Sequence, residues 1–397
     1  MTRSRSRAQD DKIERLALSS PGVVPWRGVG TDEQLFRGIL HAARTEPIMR
    51  PLWLPLALII AVSALLLAMD EGTSRHGALR LPKVALIQHA PQAALDEGMA
   101  GVQAGLAERG FRDGDNVQFE RFNAQGDIAT ANDIAKRVTD GSWDLIVTIS
   151  TASLQTVANA NKDGRVRHVF GVVTDPTILG IGFSATDPLD HPPHMAGYSS
   201  FASVEDALNL AREMNPSLKR LGLVWHTSEA NSEAYTRKAR ALCATLGIEL
   251  LEANAETVTN VAEAAASLTA RGVEALLLTG DVLVLTAVDP LVAVAKRARI
   301  PVLSMIPPNV EKGVLFDLGA DYRAIGREIG HLAADVLGGR DTAAVPLENR
   351  VPRQLLLNLD TLAALDGAWR LPPGRLAQAT VVVEAGVARR QPEAQYR

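Results

Sequence analysis

From Leu81 onward, short apolar segments alternate with amphipathic ones at near-constant spacing, and that alternation leaves few folds open. KVALIQ (83–88), VQFERF (117–122), LIVTIS (145–150) and HVFGVV (168–173) read as strands, separated by helical stretches at Leu95 to Arg109, Ala129 to Thr139 and up to Ala160. After a looser, Gly- and Pro-rich passage from Leu179 to Ser200 the rhythm resumes. LGLVW (221–225), IELLEA (248–253), ALLLTG (275–280) and PVLSMI (301–306) are separated by helices ending near Leu246, Ala270 and Arg299. Strands this apolar must be covered on both faces, which is the pattern of βαβ units and a parallel sheet. The halves share a strand–helix count but little residue identity. The expected fold class is therefore α/β, two doubly wound parallel-sheet lobes joined by a multi-crossing hinge.

Composition supports a globular body. At 47% hydrophobic and 22% charged, with net charge −4, the chain suggests neither disorder nor a nucleic-acid-binding surface. The one cysteine, Cys243, cannot form an internal disulfide and reads as a small core residue on a helix.

Ahead of the body, PLWLPLALIIAVSALLLAM (51–69) carries no charge, and its length comes near the ~30 Å of a bilayer's hydrocarbon core. Nine Arg or Lys against six Asp or Glu in the first fifty residues favour a cytoplasmic N-terminus and a body on the far side. Two readings of the run stay open, a retained anchor and a cleaved signal segment with translation starting at Met49. The corresponding locations are the inner membrane with a periplasmic body, or the soluble periplasm. The expected division is 1–50 as a cytoplasmic or miscalled tail, 51–69 as anchor or signal, and 81–198 plus about 318–345 as first lobe. The second lobe takes 199–317 plus about 346–372, leaving 373–397 as a C-terminal tail.

In open parallel sheets, ligands bind beyond the carboxyl ends of the strands, where helix N-termini point free N–H groups. Four strand ends carry small polar or acidic clusters: Ser150-Thr151-Ala152-Ser153, Thr174-Asp175-Pro176, Glu229-Ala230-Asn231-Ser232, and Asp281. Each has an ordinary alternative as a helix cap. What favours a binding cleft is that all four would face one space between the lobes, and capping and binding can coexist. Hydroxyls with helix N-terminal amides suit a carboxylate, and Asp175 and Asp281 suit an ammonium or hydroxyl groups, which describes a small zwitterionic or polyhydroxylated ligand.

These segments resemble a known family. LDEGMAGVQAGLAERGFRDGDNVQFERFNAQGD (95–127), DLIVTISTASLQ (144–155), VVTDP (172–176), EANS (229–232) and GVLFDLGADYRAIGREIGHLAADVLGG (313–339) look like the substrate-binding proteins of ABC transporters. The likeness is to the type I periplasmic binding fold and its tryptophan/tyrosine-type branch, from Lys83 to about Pro372. It implies a monomer that closes on a small ligand, an amino acid or other small polar solute, and hands it to an ABC transporter permease. Carried over by position, the first-lobe contacts are Thr151, Ala152 and Asp175, and those of the second lobe Asn231, Ser232 and Asp281, with Gln88 and Tyr198 as additions. Where the family usually has Asn, NVTG and polar residues, this chain has Val282, His194-Met195-Ala196-Gly197 and Ile306-Pro307-Pro308, so part of the cleft is less polar.

Other chemistry is poorly supported. HPPH (191–194) has two prolines between its histidines and no Cys or acidic partner beside them, and LGIGFSA (179–185) misses the dinucleotide pattern. There is no GxSxG, GxxxxGK[ST] or HExxH, so no cofactor or metal is implied. An acid/base pair of Glu229 with Asp175 or Asp281 is the enzyme alternative, and a membrane-tethered sensor of the same fold is another.

Overall fold

The computed structural model describes residues 55–64 and 80–391. The body from Arg80 is a compact unit by itself. Residues 55–64 are helical and expose Leu56, Leu58, Ile59 and Ile60; the rest of the 51–69 run lies outside the described residues. Among the described residues no helix is long and apolar enough to cross a membrane.

The body holds two sheets. In the first, strands β1 (Lys83–Gln88), β2 (Gln118–Asn123), β3 (Leu145–Ile149), β4 (His168–Val173) and β5 (Met195–Ser199) run parallel in the order β5-β4-β3-β1-β2. The connections contain α1 (Ala93–Glu108), α2 (Ile128–Val138) and α3 (Thr151–Ala160). Alternate strand residues explain why both faces need covering. Val84, Leu86, Val147 and Ile149 join the main core on one face, while Ala85, Ile87 and Ile146 meet Ala135, Val138 and Trp143 on the other.

The second sheet begins after α4 (Val204–Met214), with β6 (Arg220–Trp225), α5 (Ala230–Leu246), β7 (Glu249–Asn254), α6 (Val261–Ala270) and β8 (Ala275–Leu278). It continues through α7 (Val282–Thr286), α8 (Val288–Ala298), β9 (Val302–Ser304) and β10 (Phe316–Ala320). The chain then returns to the first sheet as α9 (Tyr322–Leu337) and β11 (Glu348–Asn349), which pairs with β5. It crosses back as β12 (Arg353–Asn358), antiparallel to β10, and ends with α10 (Leu359–Ala363), α11 (Arg375–Gln378), β13 (Ala379–Glu384) and β14 (Val387–Arg390). Two parallel-sheet α/β lobes are thus present, as the alternation requires.

Three details differ from the sequence reading. The helix expected to run unbroken to Arg299 is two, α7 and α8, broken at Ala287 (φ −110°, ψ 29°). Pro290 is tolerated in the first turn of α8 but would clash with the carbonyl of residue 286 in a continuous helix. Residues 379–390, assigned to a tail, form β13 and β14 and extend the second sheet, because Ala379, Val382 and Val383 are apolar enough to be buried there. Residues 348–349, assigned to the second lobe, pair with the first sheet.

Helices α1 and α9 pack closely through glycine. A Cβ at Gly101 would lie 2.2 Å from the Arg323 carbonyl oxygen, and one at Gly326 would lie 2.0 Å from that of Gly98. The three crossings are also tied to one another. The Asn349 side-chain oxygen accepts from the Phe201 N–H (2.8 Å), the Arg350 N–H donates to the Ser199 carbonyl (2.9 Å), and the Asp321 N–H donates to that of Pro352 (2.7 Å). Cys243 is buried on α5, where burial pushes its thiol up to about 11.

Candidate functional site

A cavity of about 50 Å³ lies between the lobes, at the carboxyl ends of both sheets. The first lobe contributes Gln92, Leu95, Thr151, Thr174 and Tyr322, and the second contributes Asn231, Tyr235, Val282, Leu285 and Ile306. None of the residues lining it is charged. A larger hollow of about 510 Å³ sits at the opposite edge of the second sheet, among Arg299, Val302, Gly313 and Asp360. There β9 begins and α8 ends; the antiparallel β12 ends there too, but the N-terminus of the five-residue α10 is already capped by Asn358, which accepts from the Thr361 N–H (2.7 Å).

Two residues of the inter-lobe cavity hold the backbone where side chains rarely sit. Ser150, the N-cap of α3, has φ 119°, and Val172 has φ 54° at an irregularity in the β4–β5 pairing. For a β-branched valine that conformation costs roughly 1–3 kcal/mol, and such strain concentrates at functional sites. The ordinary conformation is displaced because the ladder register shifts between Phe170 and Val173.

Of the residues singled out by sequence, Thr151 and Asn231 meet at this cavity. Thr151 Oγ1 accepts from the Thr174 N–H (3.2 Å), which ties the ends of β3 and β4 together. Asn231 Nδ2 donates to Glu229 and to the Gly280 carbonyl. Ser232 and Asp281 sit behind the second-lobe wall. Asp281 accepts from the His226 N–H (2.6 Å), the Val284 N–H (2.8 Å) and Ser232 Oγ (2.6 Å), which caps α7 and holds it against β6 and α5. Asp175 caps the turn at Pro176–Ile178 through Thr177 and faces a separate hollow of about 380 Å³. Gln88 donates to the Ala90 carbonyl and to Asp96, and Tyr198 lies under the Arg350 guanidinium at 3.6 Å. Ala152 is half-buried in the first turn of α3.

Sequence reasoning missed Gln92, Tyr235 and Tyr322. Gln92 N-caps α1, but glutamine is not a preferred cap and gave no signal. Tyr322 arrives from a distant crossing, and its nearness to α1 is a matter of topology.

Glu229 is the electrostatic centre of the second-lobe wall. Its carboxylate accepts from Asn231 Nδ2 (2.8 Å) and from the N–H groups of Val282 (2.9 Å) and Leu283 (3.0 Å). Burial, and then repulsion from Asp281, push its pKa up to about 7; burial also raises Asp281, against the hydrogen bond from Ser232. Because the folded pKa exceeds the value of 4.5 for a free glutamate, the folded state binds the extra proton between about 4.5 and 7. Its contribution to stability is therefore complete below about 4.5 and lost as pH rises through 7. Glu229→Gln should lose that slope: urea midpoints compared at pH 4.5, 6 and 8 should fall more for the wild type than for the variant. Parallel pH profiles would exclude a proton held at this site.

The family described as ABC transporter substrate binding protein has a sequence model that matches residues 83–368. This chain belongs to that family. Substrate-binding proteins of this family act outside the cytoplasm and bind solutes rather than transform them. The chain is 30% identical over 281 residues to the tyrosine-binding protein of Clostridioides difficile strain R20291, covering 71% of this chain and 79% of that one. Among solved structures it is similar to a conserved domain protein from Vibrio cholerae (27% identity, TM-score 0.70, covering 77% of this chain and 100% of that one). It is also similar to a ligand-free, open substrate-binding protein with adhesive properties from Clostridium difficile (28% identity, TM-score 0.57, 74% and 97%). An ABC domain from Streptococcus pneumoniae in complex with L-Trp shares the fold (22% identity, TM-score 0.71, 76% and 100%).

Proposed function

We propose that this substrate-binding protein captures an amino acid between its lobes and delivers it to an ABC transporter permease. The observation that carries the reading is the shared cavity: both sheets end at it, and both lobes line it with uncharged hydrogen-bonding groups beside apolar ones. Thr151 and Asn231 are the proposed contacts from the polar strand ends. Ala152 acts through the first turn of α3, and Ser232 and Asp281 act by fixing the wall that carries Asn231 and Val282. Gln88, Asp175 and Tyr198 support the turns and the crossing edge around it. Relatives that bind tyrosine, by name, and tryptophan, by bound ligand, support an amino acid over a sugar.

The space between the lobes has room for about four waters, at roughly 10–15 Å³ each, so an amino acid enters only when the lobes part. The three crossings supply the hinge, and ligand binding favours the closed form because only there do both lobes contact it. The run at 51–69 tethers the body to the inner membrane in this proposal.

Thermal melts of the full chain with amino acids, sugars, nucleosides and small carboxylates test the reading. An amino acid should raise Tm, since a ligand at 100 times its Kd adds about 2.7 kcal/mol. A rise with sugars or nucleosides alone would sink the amino-acid class, and no rise with any solute would sink capture itself. If cells expressing the full chain release a soluble product from which residues 51–69 have been cleaved, the tether is excluded.

A further inference from the structure

The first-lobe wall of the cavity is built from the N-terminal ends of three helices of ten or more residues: α1 capped by Gln92, α3 beginning at Thr151, and α9 beginning at Tyr322. Their free N–H groups and dipoles favour negative charge at that wall. Two residues there are nearly fully buried and yet keep a side-chain donor without a partner among the described residues. Tyr322 is 5% exposed, and its hydroxyl bonds to none of them. Gln92 is 8% exposed; Oε1 accepts from the Leu95 N–H at 3.1 Å, which leaves Nε2 and its two protons unused. Neither donor atom is among the fully buried ones left without a partner, so both reach the solvent space of the cavity, where a ligand oxygen can take the place of water.

The chemistry of that acceptor is constrained from both sides. Burial, and then the nearby Tyr235 hydroxyl and Asp317, hold the Tyr322 phenol well above its ordinary range, so it remains an O–H donor. No lysine or arginine lines the cavity, so an anion must be met by neutral donors and helix ends. The opposite wall offers Asn231 Oδ1 as an acceptor, its Nδ2 being spent on Glu229 and Gly280, and beside it the apolar Val282, Leu285 and Ile306. A charged side chain of the ligand would find no counter-charge there.

We propose that Gln92 and Tyr322 together clamp the carboxylate of the ligand, an amino acid whose uncharged side chain lies against Val282, Leu285 and Ile306. This rests on the amino-acid reading above and names how that amino acid is held. It makes Tyr322, the first residue after the returning crossing, a direct link between ligand and hinge.

Calorimetric titration of the full chain with leucine, phenylalanine, tyrosine, tryptophan, lysine and glutamate, and with the carboxamide of the tightest binder, tests it. The wild type should bind a neutral amino acid, and its carboxamide about tenfold or more weakly, the loss of a charged hydrogen bond. Tyr322→Phe should lose about tenfold for the acid. Gln92→Glu keeps the cap acceptor for Leu95 but sets a carboxylate against a carboxylate, and should lose roughly a hundredfold for the acid while binding the carboxamide within a few-fold of wild type. Equal binding of acid and carboxamide by the wild type overturns the clamp without any variant. Wild-type affinity in both variants, or equal losses for acid and carboxamide, also overturns it. Tightest binding of lysine or glutamate overturns the uncharged side chain. If the wild type binds no amino acid, the amino-acid reading itself fails and the clamp falls with it.

Discussion

Gly326→Val is expected to leave the body largely unfolded, or to lower its Tm by roughly 6–12 °C if it folds. The glycine sits on α9 against α1, and an added Cβ would lie 2.0 Å from the Gly98 carbonyl oxygen and 3.0 Å from the Gly101 Cα. Both obstacles are backbone, so no rotamer change relieves the contact; the helices must move apart. Overpacking of this kind costs about 3 kcal/mol or more, at roughly 2–4 °C of Tm per kcal/mol for a body of this size. Separation would also open the interface along Gly105 and Gly330, whose Cβ positions are blocked by backbone in the same way. Circular dichroism melts of wild type, Gly326→Ala and Gly326→Val should show a graded loss. A valine variant melting within 2–3 °C of wild type would mean that α9 can slide on α1, and close packing would no longer explain how the returning helix is fixed.

Asp281→Ala should lose both stability and ligand affinity. The carboxylate receives three hydrogen bonds inside the second lobe, from His226, Val284 and Ser232, while burying that charge has raised its own pKa. Removing it strands three buried donors at about 1–3 kcal/mol each, partly offset by no longer burying a carboxylate, so a net loss of about 3 kcal/mol is expected. Affinity should fall about tenfold because α7, which carries Val282 and Leu285 into the cavity, loses its cap. Asp281→Asn keeps an acceptor for part of the set and should lie between. Calorimetry and melting on the same samples separate the roles. Lost affinity at unchanged Tm would make Asp281 a direct ligand contact, as its position at a strand end suggests, and no change in either would remove it from the site.

Asp281 also shows why a strand end could be read while its use could not. Aspartate, serine, threonine and asparagine after a parallel strand serve equally as caps and as ligand contacts, since both jobs need an oxygen near free N–H groups. Thr151 and Asn231 reach the cavity, whereas Asp281 and Ser232 are turned onto each other behind its wall. The difference is a side-chain direction set by neighbours from β6 and α5. Gln92 and Tyr322 carried no local signal at all: they become neighbours of one cavity because α9 crosses back to lie on α1, 230 residues later in the chain.

Local pattern was enough for what depends on local physics. Strands apolar on both sides demand helices over both faces, so the alternation from Leu81 determined two parallel-sheet lobes, and the motifs along it determined membership of a solute-binding family. Tertiary structure alone decided where α9 returns, which polar oxygens are spent inside the fold and which face the cavity, and the left-handed backbone at Val172. Those depend on contacts between segments far apart in sequence, whose free energies no window of residues contains.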